Sequence, residues 1–236
     1  MIEVKQIAKR FGRLQVLKDI NLHLEKGACI ALIGPNGCGK TTLIKSILRM
    51  VLPDSGTILF DGADIKGNDA YRQYIGYMPQ IGRYPENMTI GQVLNMIKGI
   101  RKHQGALDED LYRQFAIGDM LHKKMRTLSG GTTQKVSATL AFMFQPQVLI
   151  LDEPTAGLDP IASEILKEKI IAARNSGKLI LITSHLLSEL EGIVSHVIFM
   201  QEGQVVLHES VDELKKVTGQ ETIAKSIIHL LKKEGQ

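Results

Sequence analysis

Length and composition set the first limits on what this chain can be. Its 236 residues, 44% of them hydrophobic, suffice to bury one sizeable core with a smaller subdomain or tail attached. The formal net charge is only +4, from 29 basic and 25 acidic residues scattered along the chain, so nucleic-acid phosphates are not expected to be the main partner. The longest apolar runs, such as Val148 to Leu151, fall well short of the roughly 18 residues that a membrane-spanning helix needs.

The amino-terminal residues and the cysteines indicate the compartment. The first twelve residues lack the apolar core of a secretory signal, and Cys29 and Cys38 are the only cysteines, which gives no disulfide framework. The sequence therefore predicts a protein of the reducing cytoplasm.

The predicted elements begin with short strands. β-rich runs at Ile2 to Ile7, Asp19 to Leu24 and Ala28 to Ile33, separated by charged or glycine-containing turns, predict an antiparallel edge sheet. From Ile30 the order becomes strand, glycine-rich loop and helix, and strands followed by helices recur at Val148 to Leu151 and Leu179 to Ile182. This alternation is typical of a mostly parallel α/β core, with functional residues at the carboxyl ends of its strands.

Helical periodicity marks two further regions. Between about residues 81 and 145 apolar residues recur at helical spacing, which predicts an inserted α-helical subdomain, and a Lys- and Glu-rich tail after His208 predicts an amphipathic helix. The residues concerned are Ile90, Val93, Leu94 and Ile97, then Val136, Leu140 and Phe144, and in the tail Ile223, Ile227, Leu230 and Leu231. The predicted parts are a catalytic core at 1–80 and 146–210, the helical subdomain at 81–145 and the tail at 211–236.

A complete phosphate-binding loop follows the strand that ends at Ile33. The residues Gly34, Pro35, Asn36, Gly37, Cys38, Gly39, Lys40 and Thr41 match the pattern G-x-x-x-x-G-K-[ST]. Glycines let the backbone N–H groups wrap around phosphates, and the helix that begins near Lys40 adds the positive end of its dipole. Lys40 is expected to neutralise the β- and γ-phosphates, Thr41 to ligate Mg²⁺ and Thr42 to bind an inner phosphate.

Two adjacent acids end another apolar strand. The run Val148 to Leu151 leads into Asp152 and Glu153, which places both carboxylates at the carboxyl edge of the predicted sheet. In phosphate-loop ATPases the acid directly after this strand holds Mg²⁺, so Asp152 is predicted to be the metal ligand and Glu153 to polarise the attacking water.

An ordered set of motifs then resembles the ATPases of the ABC family. Leu128-Ser129-Gly130-Gly131 resembles the signature motif and Ala156-Gly157-Leu158-Asp159 the D-loop. Gln80 and His185 resemble the Q-loop glutamine and the switch histidine, and Phe11, ahead of Val16, resembles the aromatic residue that stacks on adenine. The resemblance spans roughly residues 2 to 210.

The resemblance implies a fold, a reaction and partners. The fold would be a P-loop NTPase (RecA-like) α/β core with an antiparallel β edge subdomain and an inserted α-helical subdomain. The reaction would be ATP hydrolysis with Mg²⁺, in which Lys40, Glu153, Gln80 and His185 act in catalysis and Thr41, Gln80 and Asp152 hold the metal. A second copy would bind head to tail, so that its Ser129, Gly130, Gly131 and Asp159 complete the ATP site.

The resemblance also implies a membrane-bound partner. The chain would drive an integral permease from the cytoplasmic face of the membrane, and the segment from Ile81 to Ile90, with Tyr84 and Met88, is the predicted permease contact. Ordinary packing inside the helical subdomain is the other interpretation of these two residues. No nucleic acid is expected.

Several features leave finer questions open. Thr132 stands where the family usually has Gln, and the next glutamine is Gln134. The single cassette resembles ABC-2-type exporters, and the stretches around Ser129 and Asp159 also resemble the ATPase of the copper-processing transporter for nitrous-oxide-reductase maturation. The rivals are a non-transport ABC ATPase that acts on ribosomes or DNA, and a P-loop kinase or GTPase, although the guanine-binding Asn-Lys-x-Asp pattern is missing.

Overall fold

The computed structural model describes the backbone of residues 1–234 and the side chains of residues 1–230, and it contains both strands and α-helices. The strands are β1 (Ile2–Phe11), β2 (Leu14–Leu24), β3 (Cys29–Ile33), β4 (Ser55–Phe60), β5 (Ala63–Asp64), β6 (Ile75–Met78), β7 (Val148–Asp152), β8 (Leu179–Thr183), β9 (His196–Gln201) and β10 (Gln204–Ser210). The helices are α1 (Lys40–Ile47), α2 (Ile90–Arg101), α3 (Asp110–Gln114), α4 (Gly130–Met143), α5 (Pro160–Asn175), α6 (Val211–Thr218) and α7 (Ile223–Glu234). They belong to two units, one formed by Met1–Tyr71 with the chain from Leu179 onward, the other by Arg72–Lys178.

The first unit contains the predicted antiparallel sheet, although the third predicted run, Ala28 to Ile33, does not join it and instead forms β3 of the other sheet. Its strand order is β2-β1-β4-β5, and every neighbouring pair runs antiparallel. The strands β1 and β2 extend beyond the predicted runs and meet in a hairpin at Gly12, whose φ of 59° favours glycine. Charged residues such as the exposed Arg10 do not end β1 because an antiparallel sheet can expose one face to water.

A second sheet in this unit places two predicted functional loops at one edge. The strand β3 runs parallel to both β8 and β9, with Ala31 opposite Ile182 on one side and Val197 on the other, and β10 closes the edge antiparallel to β9. Every residue of β3 and β8 is buried, which explains why both read as continuous apolar runs. The loops after β3 and β8 therefore leave the sheet at the same, carboxyl, edge.

The second unit combines a parallel strand pair with helices. The strands β6 and β7 pair in parallel, with Met78 opposite Leu151. Helices α2 and α4 occupy the two stretches whose apolar spacing predicts helices, and α2 begins with a capping box formed by Thr89 and Gln92. The α/β class with antiparallel and parallel sheets is thus confirmed, whereas the predicted subdomain boundaries stay predictions.

The amphipathic helix predicted from the spacing of Ile223, Ile227 and Leu230 is present as α7, and a second helix, α6, precedes it. The tail forms two helices because Gly219 ends α6 in the left-handed conformation, with a φ of 65°, and its N–H donates to the carbonyl of Lys215. The side chain of Leu231 and the last two residues of the predicted tail lie outside the described residues. None of the helices in the described part of the chain is long and apolar enough to cross a membrane.

Candidate functional site

The loop between β3 and α1 has a backbone that only glycine permits at two positions. Gly34 has a φ of 146° and Gly39 a φ of 110°. A β-carbon at Gly34 would overlap the carbonyl oxygen of Met200, and one at Gly39 would lie 2.8 Å from the carbonyl oxygen of Val16. Glycine is therefore required at these two positions both because another part of the backbone approaches closely and because the backbone φ is positive.

This loop presents the donors that a phosphate requires. Gly39 is the N-cap of α1 and has no side chain with which to cap the first N–H groups of the helix. The Lys40 ammonium lies over the loop and donates to the carbonyl oxygens of Gly34 (2.7 Å) and Pro35 (3.1 Å). Uncapped helix N–H groups beside a lysine form a site that suits phosphate oxygens.

The remaining residues of the loop divide into an exposed rim and a buried base. Pro35, Asn36, Gly37 and Thr41 are exposed and Thr42 is half-buried. The Cys38 side chain is 3% exposed, and its carbonyl accepts from the N–H of Gly203. Cys38 thus fills a small buried position that anchors the loop to the turn between β9 and β10.

Two other predicted residues of the first unit lie on the β1–β2 hairpin. Phe11 is 51% exposed at the end of β1, with the Lys9 ammonium 5.4 Å from the centre of its ring. Val16 is half-buried on β2, and its carbonyl is the group that restricts Gly39. Phe11 therefore offers an accessible aromatic face, and Val16 touches the phosphate loop directly.

His185 occupies an exposed position two residues beyond the buried strand β8. The Ser184 hydroxyl accepts from the Leu186 N–H (3.0 Å), which fixes the turn around the histidine. The buried strand β8 and this serine turn therefore position the backbone of His185 at the carboxyl end of the strand.

In the second unit, the predicted acids stand at the end of β7. Asp152 is the last residue of the strand and is 6% exposed, whereas Glu153 is half-buried and has a φ of 51°. Burial raises the pKa of Tyr77, on the neighbouring β6, to about 12, and the negative charge of Asp152 adds to this shift. A buried acid and a less buried acid thus stand in adjacent positions at the carboxyl end of β7.

The signature segment forms the capped start of α4. Ser129 is the N-cap, and its hydroxyl oxygen accepts from the N–H of Thr132 (3.2 Å). The hydroxyls of Ser129 and Thr132 lie 2.9 Å apart, so the unusual threonine bonds to the serine. Gly130 is exposed, whereas a β-carbon at Gly131 would lie only 2.5 Å from the carbonyl oxygen of Gly157.

Asp159 has partners within its own unit that the sequence did not indicate. Its carboxylate caps α5 by accepting from the N–H of Ala162 (2.9 Å), and it accepts from the Lys135 ammonium at 2.7 Å. The hydrogen bond from Lys135, followed by that from Ala162, lowers the pKa of Asp159. The D-loop is thus joined to the signature helix by an ion pair and by the Gly131–Gly157 approach.

The structure also brings Gln80 and Glu153 together through a residue to which the sequence gave no role. The Gln80 side chain is exposed, but its backbone carbonyl lies 3.5 Å from the side-chain nitrogen of Gln134, and the carbonyl of Glu153 lies 3.3 Å from the same nitrogen. Gln134 is 4% exposed. Its position shortly after the signature glycines was visible in the sequence, but the residues that it contacts were not.

Comparison with known proteins agrees with this geometry. The family model described as ABC transporter matches residues 17–156. The ABC transporter ATP-binding protein YtrB of Bacillus subtilis is 35% identical over 92% of this chain and 74% of its own length. The lantibiotic transport ATP-binding protein SrtF of Streptococcus pyogenes is 30% identical over 90% of this chain and 92% of its own.

A solved structure shows the same fold. An ATP-binding subunit of an ABC transporter superposes with a TM-score of 0.88 at 27% identity, covering 98% of this chain and 99% of the other. The fold and the phosphate loop thus define a P-loop ATPase of the α/β class. This chain belongs to the ABC transporter family, as one of its ATP-binding cassettes.

Proposed function

We propose that this chain is the ATP-hydrolysing subunit that drives a separate membrane permease from the cytoplasmic face of the membrane. The observation that carries the proposal is the loop from Gly34 to Thr41, in which backbone restriction at two glycines, uncapped helix N–H groups and a lysine converge. Family membership supports the assignment of ATP as the nucleotide. The exposed ring of Phe11 is suited to stack on its adenine.

The residues divide the chemistry between phosphate binding, metal binding and proton transfer. Lys40 would exchange its two carbonyl partners for phosphate oxygens, and Thr42 would bind an inner phosphate. Glu153 would accept a proton from the attacking water, and His185 would donate a hydrogen bond to the γ-phosphate. Gln80 would contact the water or the metal as its exposed loop moves.

Mg²⁺ fits the donors that the chain offers. The Thr41 hydroxyl is exposed in the first turn of α1, and Asp152 ends a buried strand, so both are oxygen donors on rigid elements. Gln80 would supply a third oxygen. When bound, the metal would neutralise charge on the phosphates; the described residues contain no ready cluster of three or more acidic, histidine or cysteine ligands.

Two copies are proposed to close around two ATP molecules. The N-terminus of α4 at Ser129, with Gly130 exposed beside it, is a second anion-binding corner, and in a two-fold dimer it would meet the nucleotide held by the partner's phosphate loop. Hydrolysis would remove the γ-phosphate contacts and favour reopening. The bond between Thr132 and Ser129 keeps the corner ordered although the usual glutamine is replaced.

The permease is proposed to bind the second unit beside Tyr84. A cavity of about 340 Å³ is lined there by Gly82, Arg83, Tyr84, Glu86, Met125, Arg126 and Thr133. The Tyr84 hydroxyl lies 2.9 Å from the Ser137 hydroxyl, so its polar end is used internally and its ring edge is what a permease segment would meet. Met88, which is half-buried nearby, is the second proposed contact.

A matched pair of lysines on α1 tests the proposal. Lys40→Met should lower the affinity for ATP and abolish hydrolysis, whereas Lys45→Met, in the last turn of the same helix, should leave both unchanged because Lys45 lies outside the loop. Glu153→Gln should bind ATP but hydrolyse it at least about 100-fold more slowly, since a positioned general base contributes that much or more. Equal ATP affinity in the Lys40→Met and unaltered proteins would contradict the proposed site.

The dimer and the permease require separate measurements. With ATP, Glu153→Gln should elute as a dimer in size-exclusion chromatography, and a Ser129→Arg change should prevent this. Affinity purification from membranes should recover one integral membrane protein, and crosslinks from position 84 or 88 should reach it. The assignments to ABC-2-type export and to copper processing stay predictions, and the identity of the recovered permease would decide them.

A further inference from the structure

Gln134 is a buried polar side chain on the signature helix. It lies in the second turn of α4 and is 4% exposed, although glutamine is seldom buried without hydrogen-bonding partners. Its side-chain nitrogen approaches two backbone carbonyls from distant parts of the sequence, those of Glu153 at 3.3 Å and Gln80 at 3.5 Å.

These carbonyls belong to the two residues that are proposed to handle water and metal. Gln80 follows β6 by two residues and Glu153 follows β7 directly, and these strands are parallel neighbours. Both residues therefore lie at the same edge of this strand pair, where the Gln134 amide group contacts both of their carbonyls. The two amide protons of a glutamine match this pair of acceptors, whereas a glutamate or an aliphatic side chain offers no donor.

The backbone conformation of Glu153 is a second reason why its hydrogen bond with Gln134 matters. A φ of 51° lies in the left-handed region that non-glycine residues seldom occupy, and such a conformation persists only when the surroundings hold it. A donor placed on the Glu153 carbonyl fixes the peptide plane that follows this residue. The backbone from which the Glu153 side chain projects is thus held by a group carried by α4.

We propose that Gln134 is a positioning residue for hydrolysis, which sets the backbones of Gln80 and Glu153 relative to each other through its amide group. The inference rests on the proposed roles of those two residues. Because Gln134 lies on α4 only two residues beyond the Thr132 that binds Ser129, a displacement of the signature corner would also move this amide. Gln134 thus links Ser129, in the corner that is proposed to face the partner copy, to Glu153, the proposed general base, within one unit.

The experiment compares Gln134→Leu with Thr139→Val in the full chain. Thr139 is also buried on α4, at 1% exposure, and its hydroxyl donates to the Lys135 carbonyl without touching Gln80 or Glu153. Both changes remove a buried donor from the same helix and should cost similar stability. Gln134→Leu should lower kcat about tenfold while the Kd for ATP stays within about twofold, since it disturbs hydrolysis and not nucleotide binding. Thr139→Val should leave kcat unchanged.

A double mutant separates positioning from a general structural effect. Because Gln134 is proposed to act largely through Glu153, Gln134→Leu should lower kcat much less in the Glu153→Gln background than in the unaltered protein, and an equal loss in both backgrounds would overturn the inference. Gln134→Met, which preserves length and volume, serves as the second variant if the leucine variant does not fold. The inference would be overturned if Gln134→Met and Thr139→Val lowered kcat equally. It would also be overturned if Gln134→Met retained full kcat. A normal rate in Glu153→Gln would instead contradict the proposed general base, so the two failures are distinguishable.

Discussion

The close approach of Gly131 to Gly157 gives a quantitative prediction. An alanine β-carbon at position 131 would lie 2.5 Å from the Gly157 carbonyl oxygen, whereas carbon–oxygen contacts normally lie near 3.3 Å or beyond, so about 0.8 Å of displacement is required. Forcing an extra carbon into a packed contact costs about 1–3 kcal/mol. Replacing glycine by alanine inside a helix gains about 1 kcal/mol, so Gly131→Ala should lower the free energy of unfolding by roughly 0–2 kcal/mol.

Gly130→Ala is the matched control because it is the neighbouring residue of the same helix. A β-carbon there would meet nothing within 4 Å, so this change brings the helix-propensity gain without the steric cost. The difference between the two variants isolates the steric cost and should be about 1–3 kcal/mol, with Gly131→Ala the less stable.

The assay is urea unfolding of both variants without nucleotide, followed by circular dichroism. Ligand is omitted because binding to the native state would add its own stabilisation. The m-value should be unchanged, so that the shift in midpoint reports stability alone. Equal midpoints, or a higher midpoint for Gly131→Ala, would refute the close-packing argument.

Three further predictions concern other parts of the chain. Lys215→Met should lower the free energy of unfolding by roughly 0.5–1 kcal/mol in thermal denaturation, because it breaks a partly exposed ion pair of 2.9 Å with Glu191; no loss would contradict it. Burial and two neighbouring histidines lower the pKa of His208. The unfolded chain then takes up this proton first on acidification, so stability should fall as the pH drops below about 6.5, and His208→Gln should flatten that pH dependence in urea titrations. Tyr84→Phe should cost about 1 kcal/mol by removing the partner of the buried Ser137 hydroxyl, and an unchanged urea midpoint would show that Ser137 has another partner.

Residues that act through nearby sequence could be predicted without coordinates. The phosphate loop combines a strand, a glycine-rich turn and a helix within consecutive residues, and its chemistry follows from backbone freedom at Gly34 and Gly39 and from the charge of Lys40. The acids at the end of β7 are likewise set by an apolar run followed by Asp152 and Glu153. The order of these motifs along the chain was sufficient for the family.

The tail shows how a single residue separates two helices. The spacing of Ile223 and Ile227 predicted the amphipathic helix that the structure contains as α7, but it did not predict the separate helix α6 before it. Gly219 separates the two helices because the left-handed conformation that closes α6 is readily available to glycine. The signal for two helices was therefore present in the sequence, in a single residue.

Contacts between distant segments were decided by tertiary structure alone. Gln134 meets carbonyls that lie 54 and 19 residues away, and Lys135 reaches Asp159 across 24 residues. No periodicity or motif encodes such distances, because they depend on how β6, β7 and α4 pack within their unit. The sequence by itself determined which groups are available for binding and chemistry, and the packed structure decided which of them hold one another in position.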